Sequence, residues 1–145
     1  MDLSIVIPLY NESESLNELN QAIINSLNGK NLDFEIIYID DGSTDNSWSI
    51  INDLSINNHV CGLKFQRNYG KSQALHAGFL KSQGKVVFTM DADLQDDPKE
   101  IPAMYDMIIN DNFDLISGWK KKRFDSVIFK NIPVSYTHLT LPTKA

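Results

Sequence analysis

The chain is poor in the residues that staple or anchor a protein by other means than a core. Cys61 is the one thiol among 145 residues, so no internal disulfide can form, and a reducing compartment suits it. Of the three histidines, His59 and His138 have no partner at metal-ligand spacing, and His76 falls within a helical pattern. No apolar run approaches the roughly 20 residues of a membrane-spanning helix. Met1-Asp2-Leu3 carries no basic stretch, so no secretory signal is expected there. There is no internal repeat and no low-complexity linker. Basic residues are in deficit, 13 against 19 acidic ones, which argues against a broad nucleic-acid-binding face.

What is there fits one soluble globular domain. Hydrophobic residues make up 42% and charged residues 22% of the chain, which excludes a collagen, a disulfide scaffold and a fully disordered chain. A chain of this size buries roughly 68–70% of its unfolded surface, enough for a real core. The acidity is focused. Asp40, Asp41, Asp45, Asp91, Asp93, Asp96 and Asp97 come from two short segments; without those seven, 12 acids face 13 bases. Focused acidity points to a metal or a polar ligand.

The hydrophobic pattern alternates between strand and helix. Leu3–Pro8 is a short apolar run rich in β-branched residues, a buried strand. Ser13 or Ser15 can cap a helix carrying Leu16, Leu19, Ile23 and Leu27 at helical spacing, with Gly29 as its stop. Phe34–Ile39 is a second strand, followed by a turn at Asp41-Gly42-Ser43. Ser43 or Asp45 can cap a helix with Trp48, Ile51 and Leu54. Val60–Phe65 is a weaker strand, Ser72–Ser82 a helix and Lys85–Met90 a fourth strand. Pro98 suits a first helical turn. Ile101, Met104, Tyr105, Ile108 and Ile109 then form a helical stripe, and Asp114–Gly118 is a fifth strand. Such alternation implies βαβ units and a mainly parallel sheet flanked by helices, an α/β fold. Ligands of such sheets bind beyond the carboxyl ends of the strands, where Tyr10-Asn11-Glu12, Asp40-Asp41 and Asp91-Ala92-Asp93 should converge.

Asp91 and Asp93 lie on the same side of an extended segment. Carboxylates this close repel unless a cation neutralises them. A hard divalent ion, Mg2+ or Mn2+, suits them and leaves room for water and substrate phosphates. Gln95 is near enough to add an amide oxygen or an outer contact. Asp96 and Asp97 precede a helix start and read as capping residues. Asp40 and Asp41 can accept hydrogen bonds from a base N–H or from sugar hydroxyls; the competing reading is a turn with an N-cap. Asn11-Glu12 suits a ribose diol, or else is a capping loop. In Arg67-Asn68-Tyr69-Gly70-Lys71, Gly70 lets the backbone approach a ligand, and Lys71 with the helix start favours an anionic phosphate. Lys120, Lys121, Lys122 and Arg123 follow strand 5. They are either a solvated loop or a cradle for a phosphate-bearing acceptor, a departing diphosphate or an anionic membrane surface.

After Pro133 the text VSYTHLTLPTKA has no helix or strand period. It resembles a translated sequencing adapter, so residues 134–145 are read as a non-native tail, and residues 135–145 are expected to pack poorly. A genuine flexible terminus is the alternative.

Taken together, Pro8-Leu9-Tyr10-Asn11-Glu12, Asp40-Asp41-Gly42-Ser43-Thr44-Asp45, Arg67-Asn68-Tyr69-Gly70-Lys71, Asp91-Ala92-Asp93-Leu94-Gln95-Asp96-Asp97-Pro98 and Gly118-Trp119 resemble glycosyltransferase family 2. The fourth block and the RNYGK string most resemble the branch using polyprenyl-phosphate acceptors, such as dolichyl- or undecaprenyl-phosphate sugar transferases. The resemblance implies a GT-A, Rossmann-like nucleotide-sugar-binding domain, here a truncated N-terminal part over residues 1–133. It implies a UDP- or GDP-sugar donor, Mg2+ or Mn2+ and inversion at the anomeric carbon. Donor binding would fall to Pro8, Tyr10, Glu12 and Asp41, and metal-diphosphate binding to Asp91, Asp93 and Gln95. Around Trp119 the family often has arginines where this chain has Lys120 and Lys122; Arg123 matches directly. The full-length form would sit on the cytoplasmic side of a membrane through C-terminal helices beyond this chain, the fragment itself being soluble, with a donor-binding fragment without activity as the alternative.

The chemistry distinguishes two acceptors. A phosphate monoester, with a second pKa near 6, is largely ionised at neutral pH and can attack the sugar without a strong protein base. A hydroxyl acceptor, as in polysaccharide synthesis, needs a positioned carboxylate, and none is evident after residue 98. Two other classes fit less well. A nucleotidyltransferase would want a Gly- and Arg-containing loop where Leu9-Tyr10-Asn11-Glu12-Ser13 stands. A receiver-like signalling module would place its Asp pair after strand 1, not after strands 2 and 4.

Overall fold

The computed structural model describes residues 1–118 in full and the backbone of residues 139–142. Six strands form one sheet in the order β3-β2-β1-β4-β6-β5, with β1 at Leu3–Leu9, β2 at Phe34–Asp40, β3 at Val60–Lys64, β4 at Val86–Thr89, β5 at Ile116–Ser117 and β6 at Leu139–Pro142. β1 to β4 are parallel, with Leu3 opposite both Phe34 and Val86. Helices α1 (Leu16–Leu27), α2 (Ser47–Leu54), α3 (Lys71–Lys81) and α4 (Ile101–Asp111) flank it. The expected α/β architecture with a mainly parallel sheet is what the chain adopts.

The central position of β1 explains its composition. All seven of its residues are buried, as expected for a parallel strand covered on both faces. Period-2 alternation then splits its side chains between two cores. Leu3, Ile5 and Ile7 join Ile36, Tyr38, Phe88, the α1 residues Leu16, Leu19 and Ile23, and Ile101 and Met104 of α4. Val6 joins Ile37, Ile39, Val87 and Ala74 of α3 on the opposite face. α3 reaches that face through Gly78, where any Cβ would collide with Val6 and Ile39. Tyr38, fully buried, donates its hydroxyl to Asn20 Oδ1 at 2.9 Å, and burial pushes its phenol well above the ordinary range.

Several boundaries differ from the sequence reading. α3 starts one residue early, making Lys71 its first residue rather than the one before it. The fifth strand is Ile116–Ser117 only. Pro98 opens a 3-10 turn, Pro98–Glu100, that runs into α4. Neither Ser13 nor Ser15 caps α1 through its side chain; Ser15 spends its hydroxyl elsewhere. The expected poor packing of residues 135–145 is corrected at 139–142: this segment pairs antiparallel with β4, Val87 opposite Leu141, and with β5, Ile116 opposite Thr140. The physical reason is the edge of β4, whose backbone donors and acceptors recruit a partner. Four residues are too few for a period to show in the sequence. Trp119, Lys120, Lys121, Lys122 and Arg123 lie outside the described residues.

Candidate nucleotide-binding site

The loops leaving β1, β2, β3 and β4 share the carboxyl edge of the sheet and enclose a groove of about 350 Å³, lined by Pro8, Leu9, Tyr10, Glu12, Asp41, Asn68, Gly70, Lys71, Asp91, Ala92 and Asp93. The convergence of three polar clusters expected from strand order is therefore met.

Side chains of one loop bonding the backbone of another set this edge. Asn11, at φ 54°, donates its N–H to Ser43 Oγ at 2.9 Å, and its Oδ1 accepts from the N–H of Thr44 at 2.8 Å. The Glu12 N–H donates to Ser47 Oγ at 3.0 Å. Asp45 accepts from the N–H groups of Ser47 and Ser13 at 2.9 and 3.2 Å; the N-cap position of α2 falls on Asn46, whose side chain makes no capping bond, so neither Ser43 nor Asp45 occupies it as expected, and Asp45 instead ties the turn before α2 to the first loop. Desolvation opposes ionisation of Asp45, but the hydrogen bonds from Ser47 and Ser13 outweigh it and hold this carboxyl below its ordinary value.

Asp41 joins the second and third loops. Its two oxygens accept from the N–H groups of Tyr69 and Gly70, at 2.7 and 3.0 Å. A carboxylate has about four acceptor positions, so a ligand N–H or hydroxyl can still be received. The neighbouring Gly42, at φ +78°, lies so close to this loop that any Cβ would overlap the Arg67 and Asn68 backbone. Asp40 is placed differently. It is fully buried, does not line the groove, and accepts from the Ser43 N–H at 2.8 Å. It shapes the turn, the alternative reading of that residue.

The Asp91-Ala92-Asp93 loop is held from both sides. The Asp91 N–H donates to the buried Asp96 Oδ2 at 3.0 Å. Ser15 donates its hydroxyl to the Ala92 carbonyl at 2.5 Å, tying the start of α1 to the middle of the loop. With Ala92 buried, Asp91 and Asp93 both face the groove. Leu94 adopts φ 64°, and the Gln95 N–H turns back to Asp93 Oδ1 at 3.1 Å. Gln95 is exposed and does not line the groove. Asp97 caps the 3-10 turn by accepting from the Lys99 N–H, as its capping reading expects. Asp96 instead orients the loop, and Ser15 does the same from α1. Sequence reasoning missed both roles, because only their long-range partners reveal them.

The groove is strongly negative. Burial raises the pKa of Glu12; a hydrogen bond from Ser15 works against this, and the charges of Asp93, Asp45 and Asp91 raise it further. Among the described residues one cation lines the groove: Lys71 Nζ lies 2.5 Å from Asp91 Oδ1. Among the described residues no group of three or more His, Cys, Asp or Glu side chains is arranged to hold a metal ion. The donor set that does exist, two adjacent carboxylates at an open rim, fits a hard divalent ion that takes most of its ligands from water and substrate.

A family model described as "Glycosyl transferase family 2" matches residues 4–142. The chain belongs to glycosyltransferase family 2. Among curated relatives, it is 39% identical over 126 residues to an undecaprenyl-phosphate 4-deoxy-4-formamido-L-arabinose transferase of Proteus mirabilis, covering 86% of this chain and 38% of that one. It is 34% identical over 137 residues to a dodecaprenyl-phosphate galacturonate synthase of Rhizobium johnstonii, covering 92% and 40%. The resemblance to the polyprenyl-phosphate branch is thus met, and the chain spans about two-fifths of the length of these relatives. The fold is shared with solved glycosyltransferases at low identity. The glucosyl-3-phosphoglycerate synthase of M. tuberculosis superposes with a TM-score of 0.71 at 18% identity, covering 98% of this chain and 57% of that one. A mannosyltransferase from Pyrobaculum calidifontis, solved with GDP-Man and Mn2+, gives 0.69 at 19% identity, covering 82% and 35%. This is the GT-A architecture expected from the resemblance. No helix among the described residues is long and apolar enough to cross a membrane.

Proposed function

We propose that this chain is the donor-binding part of a metal-dependent, inverting glycosyltransferase that takes a UDP- or GDP-sugar and delivers the sugar to a polyprenyl phosphate. The observation that carries the reading is the single groove in which Glu12, Asp41, Asp91, Asp93 and Lys71 meet beyond the strand ends. Asp91 and Asp93 would hold Mg2+ or Mn2+, with Gln95 as an outer contact. When bound, the ion would neutralise charge on the departing diphosphate. Glu12 and Asp41 would receive hydroxyl or base N–H donors, and Pro8 and Tyr10 would wall the nucleoside end. The names of relatives support the acceptor: both act on polyprenyl phosphates by description. A solved neighbour carrying GDP-Man and Mn2+ supports the donor class and the metal. Arg123 is proposed to meet the acceptor side, and the whole protein to work at the cytoplasmic side of a membrane through segments beyond this chain. Residues 134–145 are proposed to be foreign sequence; reading the intact locus tests that.

A second reading has the chain bind donor without transferring sugar, which its two-fifths coverage of the relatives favours. Calorimetry with UDP and GDP, with and without Mn2+, tests donor binding. Metal-dependent binding of either nucleotide is expected; binding of neither would falsify the reading. Asp93→Ala, in an intact homologous protein, should abolish metal-dependent transfer while circular dichroism stays unchanged.

A further inference from the structure

We propose that Lys71 is an internal counter-ion that makes cation binding at the groove depend on the diphosphate. The inference rests on the donor-site reading above. Lys71 is the first residue of α3, and its Nζ sits 2.5 Å from Asp91 Oδ1, a distance of direct ionic hydrogen bonding. That oxygen belongs to one of the two carboxylates that would hold the ion. The Asp91 backbone is held by Asp96 and flanked by the buried Ala92, so the carboxylate that Lys71 pairs is the one presented to the groove. A cation arriving alone either displaces the ammonium or binds the same carboxylate with the ammonium beside it, like charge against like charge. A cation arriving with a diphosphate meets a different balance. The ammonium releases Asp91 and finds a new anionic partner at the same helix start, where the backbone also favours a phosphate. One ion pair is exchanged for another, and the two ligands bind with positive coupling that must be reciprocal.

Geometry alone argues for this. The lysine side chain is largely exposed and long enough to swing, whereas Asp91 is one-third exposed. Pairing also neutralises Asp91 when the site is empty, limiting the repulsion among Asp91, Asp93 and Glu12.

The test is calorimetry of Mn2+ alone, and of UDP and GDP at saturating Mn2+, on the 145-residue chain and on Lys71→Met. The variant should bind Mn2+ alone roughly two- to fivefold more tightly, the equilibrium equivalent of an exposed ion pair. It should bind the preferred nucleotide more weakly by a similar or larger factor. Opposite signs are the signature; a residue that merely stabilised the loop would weaken both. Lys71→Arg should restore the original order of affinities. On an Asp91→Asn background, Lys71→Met should bring no gain in Mn2+ affinity. An unchanged or weaker Mn2+ affinity in Lys71→Met, or an equal gain on the Asp91→Asn background, overturns the proposal while leaving nucleotide binding intact. Failure of the unaltered chain to bind either nucleotide overturns the donor-site reading and this inference with it.

Discussion

At the scale of single residues, Glu12 and Asp45 show how neighbours on one loop edge can be tuned in opposite directions. The carboxyl of Glu12 is raised, first by burial and then by Asp93, Asp45 and Asp91. Its protonated form is favoured by folding, so its contribution is present below its unfolded pKa and lost as pH rises through the raised folded value. Asp45 is lowered by its hydrogen bonds from Ser47 and Ser13. Its contribution is present above the unfolded pKa and lost as pH falls through the lowered folded value. Urea melts from pH 3 to 7 should therefore show slopes of opposite sign removed by Glu12→Gln and by Asp45→Asn. Asp45→Ala should also cost about 1 kcal/mol near neutral pH, the usual net worth of a hydrogen bond, because the Ser47 and Ser13 N–H groups lose their acceptor. A melt indistinguishable from that of the unaltered chain would show that Asp45 does not hold this turn. Ser15 belongs to this scale as well. Ser15→Ala leaves the buried Ala92 carbonyl without its hydroxyl partner, and a loss of about 1–3 kcal/mol is expected, with weaker Mn2+-dependent nucleotide binding as its functional readout.

At the scale of elements, the loops matter more than the strands that carry them. The turn after β2 and the loop before α3 touch so closely that only a glycine fits at 42. Its φ of +78° adds a second reason, since a β-carbon is disfavoured there. Gly42→Ala should destabilise the fold by more than the roughly 1 kcal/mol of the backbone term alone, because the Arg67–Asn68 backbone must also move. Thermal unfolding checks this, and nucleotide binding should fall with it, because Asp41 holds the same loop. The strand and helix elements themselves were legible: the apolar run of β1, the helical spacing in α1 and the stripe in α4 all sit where the pattern put them. The loops were legible as composition only. Asp40 and Asp41 are adjacent, chemically identical and both buried, yet only Asp41 lines the groove. Strand alternation allows that split but does not say which residue takes which side, since the turn geometry after β2 decides.

For the whole molecule, the sheet is asymmetric. Four parallel strands carry the site, and β6 covers the far edge of β4 with an antiparallel partner. Removing residues 119–145 should leave β4 as an open edge with unpaired backbone groups, an invitation to intermolecular pairing. Light scattering after size-exclusion chromatography is expected to show self-association of the shortened chain; a clean monomer with an unchanged melt would show that β6 contributes little. The pairing was invisible to sequence reading because a four-residue strand earns its place from the edge it meets.

Sequence by itself determined the alternation of strands and helices, the carboxyl-edge location of the acidic clusters and the family, because these depend on local periodicity and on short contiguous blocks. Tertiary structure alone decided that Lys71 pairs with Asp91, that Asp41 clamps the third loop, that Ser15 and Asp96 orient the Asp91-Ala92-Asp93 loop, and that residues 139–142 complete the sheet. Most of these contacts join residues 20 or more positions apart. Their partners are chosen by which loops the parallel crossovers bring together, and no local pattern carries that information.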